Sequence, residues 1–166
     1  CPHILPRVGA VSTQAFTNAD LGPMALSGLA AGASAIEAMR AIGSQDRDFD
    51  YRQVGIVPAD GPIAIHTGSH ARSWSGHVIS EHVLAMGNGL AGQQVLDGMM
   101  SAFAAADGPL AARLLLGLEA GRDAGGQEPS PGNHLAERSS VLLAYGDSGV
   151  ATTDLRVDVH EAAVDE

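Results

Sequence analysis

Apolar and polar positions along the chain change period several times, and each change predicts a different element. Residues 8–15 are β-branched and small with apolar side chains on both faces, which predicts a central strand. Residues 20–44 are apolar at helical spacing, with Gly32 as a stop and a capping-box pattern at Ser34 and Glu37. We therefore expect one strand followed by two helices.

The middle of the chain predicts a hairpin and a second helix pair. Two apolar runs, 54–57 and 63–66, are joined by a turn that contains Asp60-Gly61, which is typical of an antiparallel hairpin. A polar stretch, 69–80, precedes a short strand that runs into a glycine-bracketed turn at 87–89. Residues 95–106 and 110–120 then predict two helices.

The end of the chain predicts a long loop at 121–137 and final strands at 139–145 and 155–159. The order of elements suits an α+β fold in which antiparallel sheet is covered by helices. A length of 166 residues fits one globular domain, which we expect to span the whole chain.

Charge and composition narrow the function classes. The net charge of −10 argues against nucleic acid and anionic membranes as partners. The sequence has no apolar run of about 18 residues and no signal segment, which favours a cytoplasmic protein. A single cysteine excludes an internal disulfide.

That single cysteine is residue 1. An N-terminal cysteine combines a thiol nucleophile with an α-amino group whose pKa near 8 lets it take the thiol proton. The resulting ammonium can return the proton to a leaving nitrogen. The position also fits a proteolysis boundary or removal of an initiator methionine, so position alone leaves both interpretations open.

Asn88 and Gly89 are candidates for stabilising an oxyanion. They offer an amide side chain and a backbone N–H that no Cβ shields. Asn-Gly is also the commonest hairpin dipeptide, so the same residues fit a type I′ turn.

Four polar residues flank the cysteine and are candidates for substrate binding. Arg7 could hold a carboxylate, whereas Gln14 and Asn18 equally fit a role in satisfying backbone groups at a turn. The four are His3, Arg7, Gln14 and Asn18.

Trp74 and His77 are candidates for the wall of a substrate pocket, although Trp74 fits equally well as a plug at the core edge. His66 and His70 have i,i+4 spacing, but Gly68 interrupts the helix that a metal pair would need. We expect no metal site and no cofactor.

Several stretches resemble one family, in order and in spacing. They are CPHILPRVGAVSTQAFTNADLGPMAL, RQVGIV, HTGSHARSWSGH, GNGLAG and LRVDVH. Together they resemble the bacterial and archaeal family known as domain of unknown function 1028, from Cys1 to about His160. The resemblance implies the N-terminal-nucleophile hydrolase fold, a four-layer αββα sandwich. It implies Cys1 as nucleophile and, by analogy with class II glutamine amidotransferases, Asn88 and Gly89 at the oxyanion.

Members of that family carry further residues before the cysteine. The resemblance implies autoproteolysis, in which the thiol attacks the preceding peptide bond and the ester is hydrolysed. About two strands would then remain bound as a short α chain, within a higher homo-oligomer of αβ units. The chain departs from the family pattern at Glu137-Arg138-Ser139-Ser140.

Together these features predict an amidohydrolase that cleaves a small or cyclic amide, of imide, lactam or ureide type, through a thioester at Cys1. Two alternatives stay open at this stage: a processed, noncatalytic ligand-binding or assembly subunit, and an acyltransferase that uses the same cysteine.

Overall fold

The computed structural model describes residues 1–165, and the chain divides into two compact units. The first unit comprises Cys1–Ala71 and Ile79–Met86. The second comprises Arg72–Val78 and the chain from Gly87 onward. Across residues 1–165 the protein is α+β, with four α-helices and antiparallel sheets.

The first unit is built on a four-stranded antiparallel sheet in the order β1-β2-β3-β4. The strands are β1 Pro2–Leu5, β2 Gly9–Gln14, β3 Gln53–Pro58 and β4 Ala64–Thr67, with helices α1 Leu21–Ala30 and α2 Ala35–Gln45 after β2 and a short 3₁₀ helix, Phe49–Tyr51, before β3. The predicted hairpin is confirmed as β3 and β4, and the predicted central strand lies inside the sheet as β2.

Helices α1 and α2 cover one face of this sheet. Val11 and Ile56 of the sheet are buried together with Leu21, Ala25 and Ile42 of the helices. The opposite face meets residues of a later strand at Gly55, where an added Cβ would stand 2.3 Å from Leu84 Cδ2. Gly55 therefore permits a close approach of side chains to the second face of the sheet.

The predicted signals at the ends of these helices are confirmed. Ser34 accepts from the Glu37 backbone N–H, and the Glu37 carboxylate accepts from Ser34 N–H at 2.8 Å, which completes a capping box. Gly32 follows α1 with a φ of +94°, in the left-handed region that favours glycine. Strand β1 was not predicted, because Pro2 and Pro6 obscure a four-residue edge strand.

The remaining elements carry the chain into and through the second unit. They are β5 Gly76–Ser80, β6 Val83–Gly87, α3 Gln93–Ala105, α4 Leu110–Asp123, β7 Ser140–Tyr145 and β8 Ala151–Val157. Helices α3 and α4 pack closely at Gly121, where a Cβ would stand 2.7 Å from Met99 Cγ. Among the described residues, no helix is long and apolar enough to cross a membrane.

The larger differences from the prediction concern β5, α4 and β8. Strand β5 lies within the stretch that was predicted only as polar, 69–80, because His77 and Ser80 hide its alternation. Helix α4 continues three residues beyond the predicted end, and β8 begins at Ala151 instead of 155. The polar residues Thr153 and Asp154 pair with β7 through their backbone, which side-chain hydrophobicity does not report.

Candidate thiol site and its surroundings

Cys1 extends the ladder between β1 and β2 by one further pair. Thr13 N–H donates to the Cys1 carbonyl at 3.1 Å, and the Cys1 α-amino group donates to the Thr13 carbonyl. The side chain of Cys1 is exposed and forms no disulfide. The backbone of this residue is therefore fixed while its thiol is accessible.

The α-amino group of Cys1 has the properties of a base near neutral pH. Burial lowers its pKa below the ordinary value of 8.0, because desolvation disfavours the ammonium form. A lower pKa increases the fraction of neutral amine at pH 7.

His3 lies two residues along β1, so its side chain is on the same face as that of Cys1. Its ring packs against Gly22 of α1, where an added Cβ would stand 2.1 Å from His3 Cδ2. Burial lowers the pKa of His3, and the nearby ammonium of residue 1 lowers it further. Near neutral pH the imidazole is therefore uncharged.

Two buried polar atoms adjoin the cysteine. His3 Nε2 and Thr13 Oγ1 have no hydrogen-bond partner among residues 1–165. Thr13 is almost completely buried and stands opposite Cys1 on the neighbouring strand. A buried polar atom without a partner lowers the stability of the fold. At the Cys1 end of the sheet, these two atoms are therefore available to hydrogen-bond a ligand.

Gln14 belongs to a chain of hydrogen-bonded polar side chains at the ends of three strands. Its Nε2 donates to Gln53 Oε1 at 2.7 Å and to the Met86 carbonyl at 3.3 Å. Gln53 Nε2 in turn donates to Thr67 Oγ1 at 3.1 Å, and Gln53 is fully buried. Gln14 is therefore held by side-chain hydrogen bonds one residue beyond the Cys1 partner.

Asn18 supports a buried ion pair. Arg52 Nε lies 2.9 Å from Asp46 Oδ2, and both side chains are more than nine-tenths buried. Asn18 Nδ2 donates to the same carboxylate at 3.2 Å. The hydrogen bond from Arg52 is the main cause that lowers the pKa of Asp46.

The other end of Arg52 holds an unusual turn after β2. Its Nη1 donates to the carbonyl of Phe16, and Ala15 and Phe16 have φ values of +56° and +49°. A left-handed conformation costs a non-glycine residue about 1–2 kcal/mol. The buried ion pair therefore stabilises a strained turn that exposes 76% of Phe16.

Three rings meet on the surface beside this turn, and we call Phe16, Tyr51 and His70 the aromatic platform. Tyr51 and His70 are stacked with centroids 4.6 Å apart, and the Phe16 ring lies 6.1 Å from that of Tyr51. Sequence reasoning missed Phe16 and Tyr51 and considered His70 only as a metal ligand, although an aromatic content of only 4% made each ring a useful signal.

Arg7 is not brought near Cys1. It lies in the turn between β1 and β2 with a φ of +63°, at the opposite end of β1. Cys1 and Leu5 are four residues apart along the strand, a distance of about 13 Å, and Arg7 lies beyond Leu5. Within the first unit, the thiol end of the sheet thus includes His3 and Gln14 but not Arg7.

In the second unit, Asn88 and Gly89 form a turn with positive φ at Gly89, +61°. Gly89 N–H donates to the Arg72 carbonyl at 3.0 Å, so this donor is already engaged. The side-chain amide of Asn88 makes no hydrogen bond with another residue in the described part of the chain. Of the two candidate oxyanion donors, Asn88 is the one left available.

Trp74 lies beside this turn. Its carbonyl accepts from Leu90 N–H at 3.0 Å, and its ring packs so closely that a Cβ on Gly76 would stand 2.5 Å from Cη2. The loop predicted at 121–137 anchors the same turn, since Glu128 N–H donates to the Gly89 carbonyl at 2.8 Å. His77 is in β5.

Comparison with known proteins identifies the family. A model described as a family of unknown function, DUF1028, matches residues 1–166. The chain belongs to the DUF1028 family. Its structure is similar to the crystal structure of protein SPO2555 from Silicibacter pomeroyi, which is assigned to the same family. The TM-score is 0.87 at 27% identity, over 99% of this chain and 69% of that chain. No curated protein matches.

The DUF1028 match confirms the family that the sequence stretches resemble. Because the family model spans the whole chain, it includes both the Cys1 strand and the Asn88 turn. The roles predicted for individual DUF1028 residues stay predictions.

Proposed function

We propose that this DUF1028 protein is an N-terminal-nucleophile amidohydrolase that cleaves a small or cyclic amide through a thioester at Cys1. The observation that carries the proposal is an exposed thiol on a backbone fixed by Thr13, with an amine of lowered pKa on the same residue. Nucleophile and base then occupy one residue, and no second side chain is needed to accept the thiol proton.

Acylation would begin with transfer of the thiol proton to the neutral α-amino group. The thiolate attacks the amide carbon, and negative charge develops on the amide oxygen, where hydrogen-bond donors would stabilise it. When the carbon–nitrogen bond breaks, the ammonium returns its proton to the leaving nitrogen. The product of this half-reaction is a thioester at Cys1.

Deacylation would reverse the proton movements. Water attacks the thioester while its proton passes to the α-amino group, and the carbon–sulfur bond breaks. The ammonium then protonates the sulfur, which restores the thiol and releases the acid. The hydrogen bond from the amino group to the Thr13 carbonyl supports this role, because it fixes the orientation of the nitrogen.

The proposal includes maturation and fold. The mature enzyme would begin at Cys1 after an N-to-S acyl shift in a precursor, and the fold would be a four-layer αββα sandwich. Two layers are supported in the first unit, where α1 and α2 cover one face of the sheet. Leu84 of β6 lies against the other face at Gly55, as a second sheet layer requires.

The proposal is tested with wild-type protein and a Cys1→Ala variant on succinimide, hydantoin and glutarimide. Ring opening is followed by chromatography, and intact mass spectrometry reports the N-terminus and any acyl adduct. We expect turnover, adduct and an N-terminus at residue 1 only with the wild type, and a cooperative melting transition in both proteins. A Cys1→Ala protein that still opens a ring would overturn the proposal. Tyr145→Leu serves as a control for substitution in general.

Hydroxylamine separates hydrolysis from acyl transfer. If the thioester reacts with added acceptors faster than with water, hydroxamate replaces acid as the main product. A thiol that forms no adduct with any of the three rings would favour the ligand-binding alternative.

A further inference from the structure

We propose that the aromatic platform, Phe16, Tyr51 and His70, binds a planar ring of the substrate that Cys1 attacks. This inference rests on the proposed function and adds a substrate class: amides fused or joined to a flat, conjugated ring. None of the three residues is among the site residues that the sequence predicts.

The platform lies at the same end of the sheet as the thiol. Phe16 follows β2 by two residues, Tyr51 precedes β3 by two, and His70 follows β4 by three. Cys1 pairs with Thr13 near the end of β2. Three residue steps from Thr13 to Phe16 span at most about 11 Å, and a hydrogen-bonded strand pair adds about 5.5 Å. The Cα atoms of Phe16 and Cys1 are therefore no more than about 17 Å apart, which allows the platform and the thiol to contact one small molecule.

The backbone is arranged to present these rings. Gly68 lets the chain after β4 pass beside the 3₁₀ helix, since an added Cβ would stand 2.1 Å from the Asp50 carbonyl oxygen. His70 N–H donates to that carbonyl at 2.9 Å, which places the imidazole on Tyr51. The stacking of His70 on Tyr51 is thus supported by backbone contacts.

Phe16 is exposed although its position is tightly determined. Arg52 Nη1 donates a hydrogen bond to the Phe16 carbonyl, and the Arg52 guanidinium lies 5.3 Å from the centroid of the Phe16 ring. The protein has only three phenylalanines, and the structure holds this one with 76% of its surface in water. An aromatic face held in this way is suited to stack on another ring.

The size of the platform favours a small molecule over a protein partner. Three partly exposed rings offer on the order of 300 Å². A stable protein interface needs about 800 Å² from each partner. The charge of Arg52 is already used by Asp46, so it does not recruit an acidic surface. A single planar ring fits both the area and the stacking geometry.

Phthalimide and succinimide provide a matched pair of probes, because they share the imide and differ by a fused benzene ring. We expect wild-type kcat/KM to favour phthalimide by about tenfold. In Phe16→Leu this preference should fall below about twofold. Tyr145→Leu, which removes an exposed ring from the second unit, should keep the full preference.

Binding separates failure of the platform from failure of the proposed function. With Cys1→Ala protein, phthalimide should shift the amide NMR signals of residues 16, 51 and 70, and Phe16→Leu should abolish those shifts. If wild type opens neither imide but the shifts appear, the proposed hydrolysis fails and the platform stands. Equal preference in wild type and Phe16→Leu, or shifts absent from these residues, would overturn the platform. Phe16→Trp should retain the preference if Phe16→Leu folds poorly.

Discussion

The two units hold their candidate residues by different means. In the first unit, apart from the backbone pairing of Cys1 with Thr13, side chains bind side chains: Asp46 pairs with Arg52, and Gln14 donates to Gln53. In the second unit, the Asn88 turn is held by backbone hydrogen bonds, such as the one from Gly89 N–H to the Arg72 carbonyl. Removal of a side chain should therefore lower the stability of the first unit, whereas addition of a side chain at a glycine should lower that of the second.

The largest effect is expected from Asp46→Ala. It leaves the Arg52 guanidinium buried without its carboxylate, and loss of one partner of a buried pair costs about 3–5 kcal/mol. Urea unfolding monitored by circular dichroism measures the change. Asp48→Ala is the control, because its carboxylate is 3.9 Å from Arg52 and half exposed, so we expect less than about 1 kcal/mol. Equal effects of the two substitutions would contradict the interpretation.

An intermediate effect is expected from Gly125→Ala in the second unit. Gly125 has a φ of +122°, and an added Cβ would stand 2.9 Å from the Ala91 Cβ. We expect about 1–3 kcal/mol of local destabilisation, seen as faster hydrogen exchange at Ala91 N–H, which donates to the Gly126 carbonyl.

Two observations sharpen that experiment. Gly132 also has a positive φ, but an added Cβ would meet no atom within 4 Å. Gly132→Ala therefore measures the cost of backbone strain in the absence of a steric contact. Exchange at Thr13 N–H, in the first unit, should not change in either variant. If it accelerates as much as that at Ala91, the two regions do not respond separately.

The smallest effect is expected from the pH dependence of His3. Its pKa is lowered in the folded protein, so the unfolded chain binds more protons as pH falls below 6.5. This contribution to stability is present above that pH and is lost as pH falls toward the folded pKa. His3→Gln should flatten the stability profile there.

The loss due to Asp46 lies at lower pH and is separate. Its carboxyl pKa is depressed from 3.8, so stability that depends on its charge persists above that value and is lost only in more acidic solution. Denaturation midpoints between pH 4.5 and 7.5 therefore separate the histidine from Asp46, and comparison of wild type with His3→Gln separates it from the Cys1 amine, whose pKa is also lowered. An unchanged slope in His3→Gln would show that the imidazole does not titrate differently on folding.

The sequence predicted elements where local signals agree with packing. The Ser34 and Glu37 capping box and the hairpin around Asp60-Gly61 depend on residues close in sequence, and both are confirmed. Strand β1 depends on pairing with β2, because its own four residues hold no alternation. Local patterns do not report such cross-strand hydrogen bonds.

The surroundings of the thiol were harder to predict. Asn18 was considered as a substrate ligand or a turn residue, whereas the structure bonds it to Asp46, 28 positions away. The aromatic platform combines residues from three separate segments, so no single motif contains it. The engagement of Gly89 N–H by Arg72 also depends on a contact that the Asn-Gly dipeptide does not encode.

One accessible thiol in the entire sequence makes the protein a single-site target for reagents. A fluorophore or spin label attached there would lie at a strand end fixed by two hydrogen bonds. Its mobility would report the order of that strand end, and no cysteine would have to be introduced by mutation. The same sulfur would attack peroxide and become a sulfenic acid, which glutathione would convert to a mixed disulfide with loss of water. Storage under reducing conditions would therefore decide how much of a preparation can react at all.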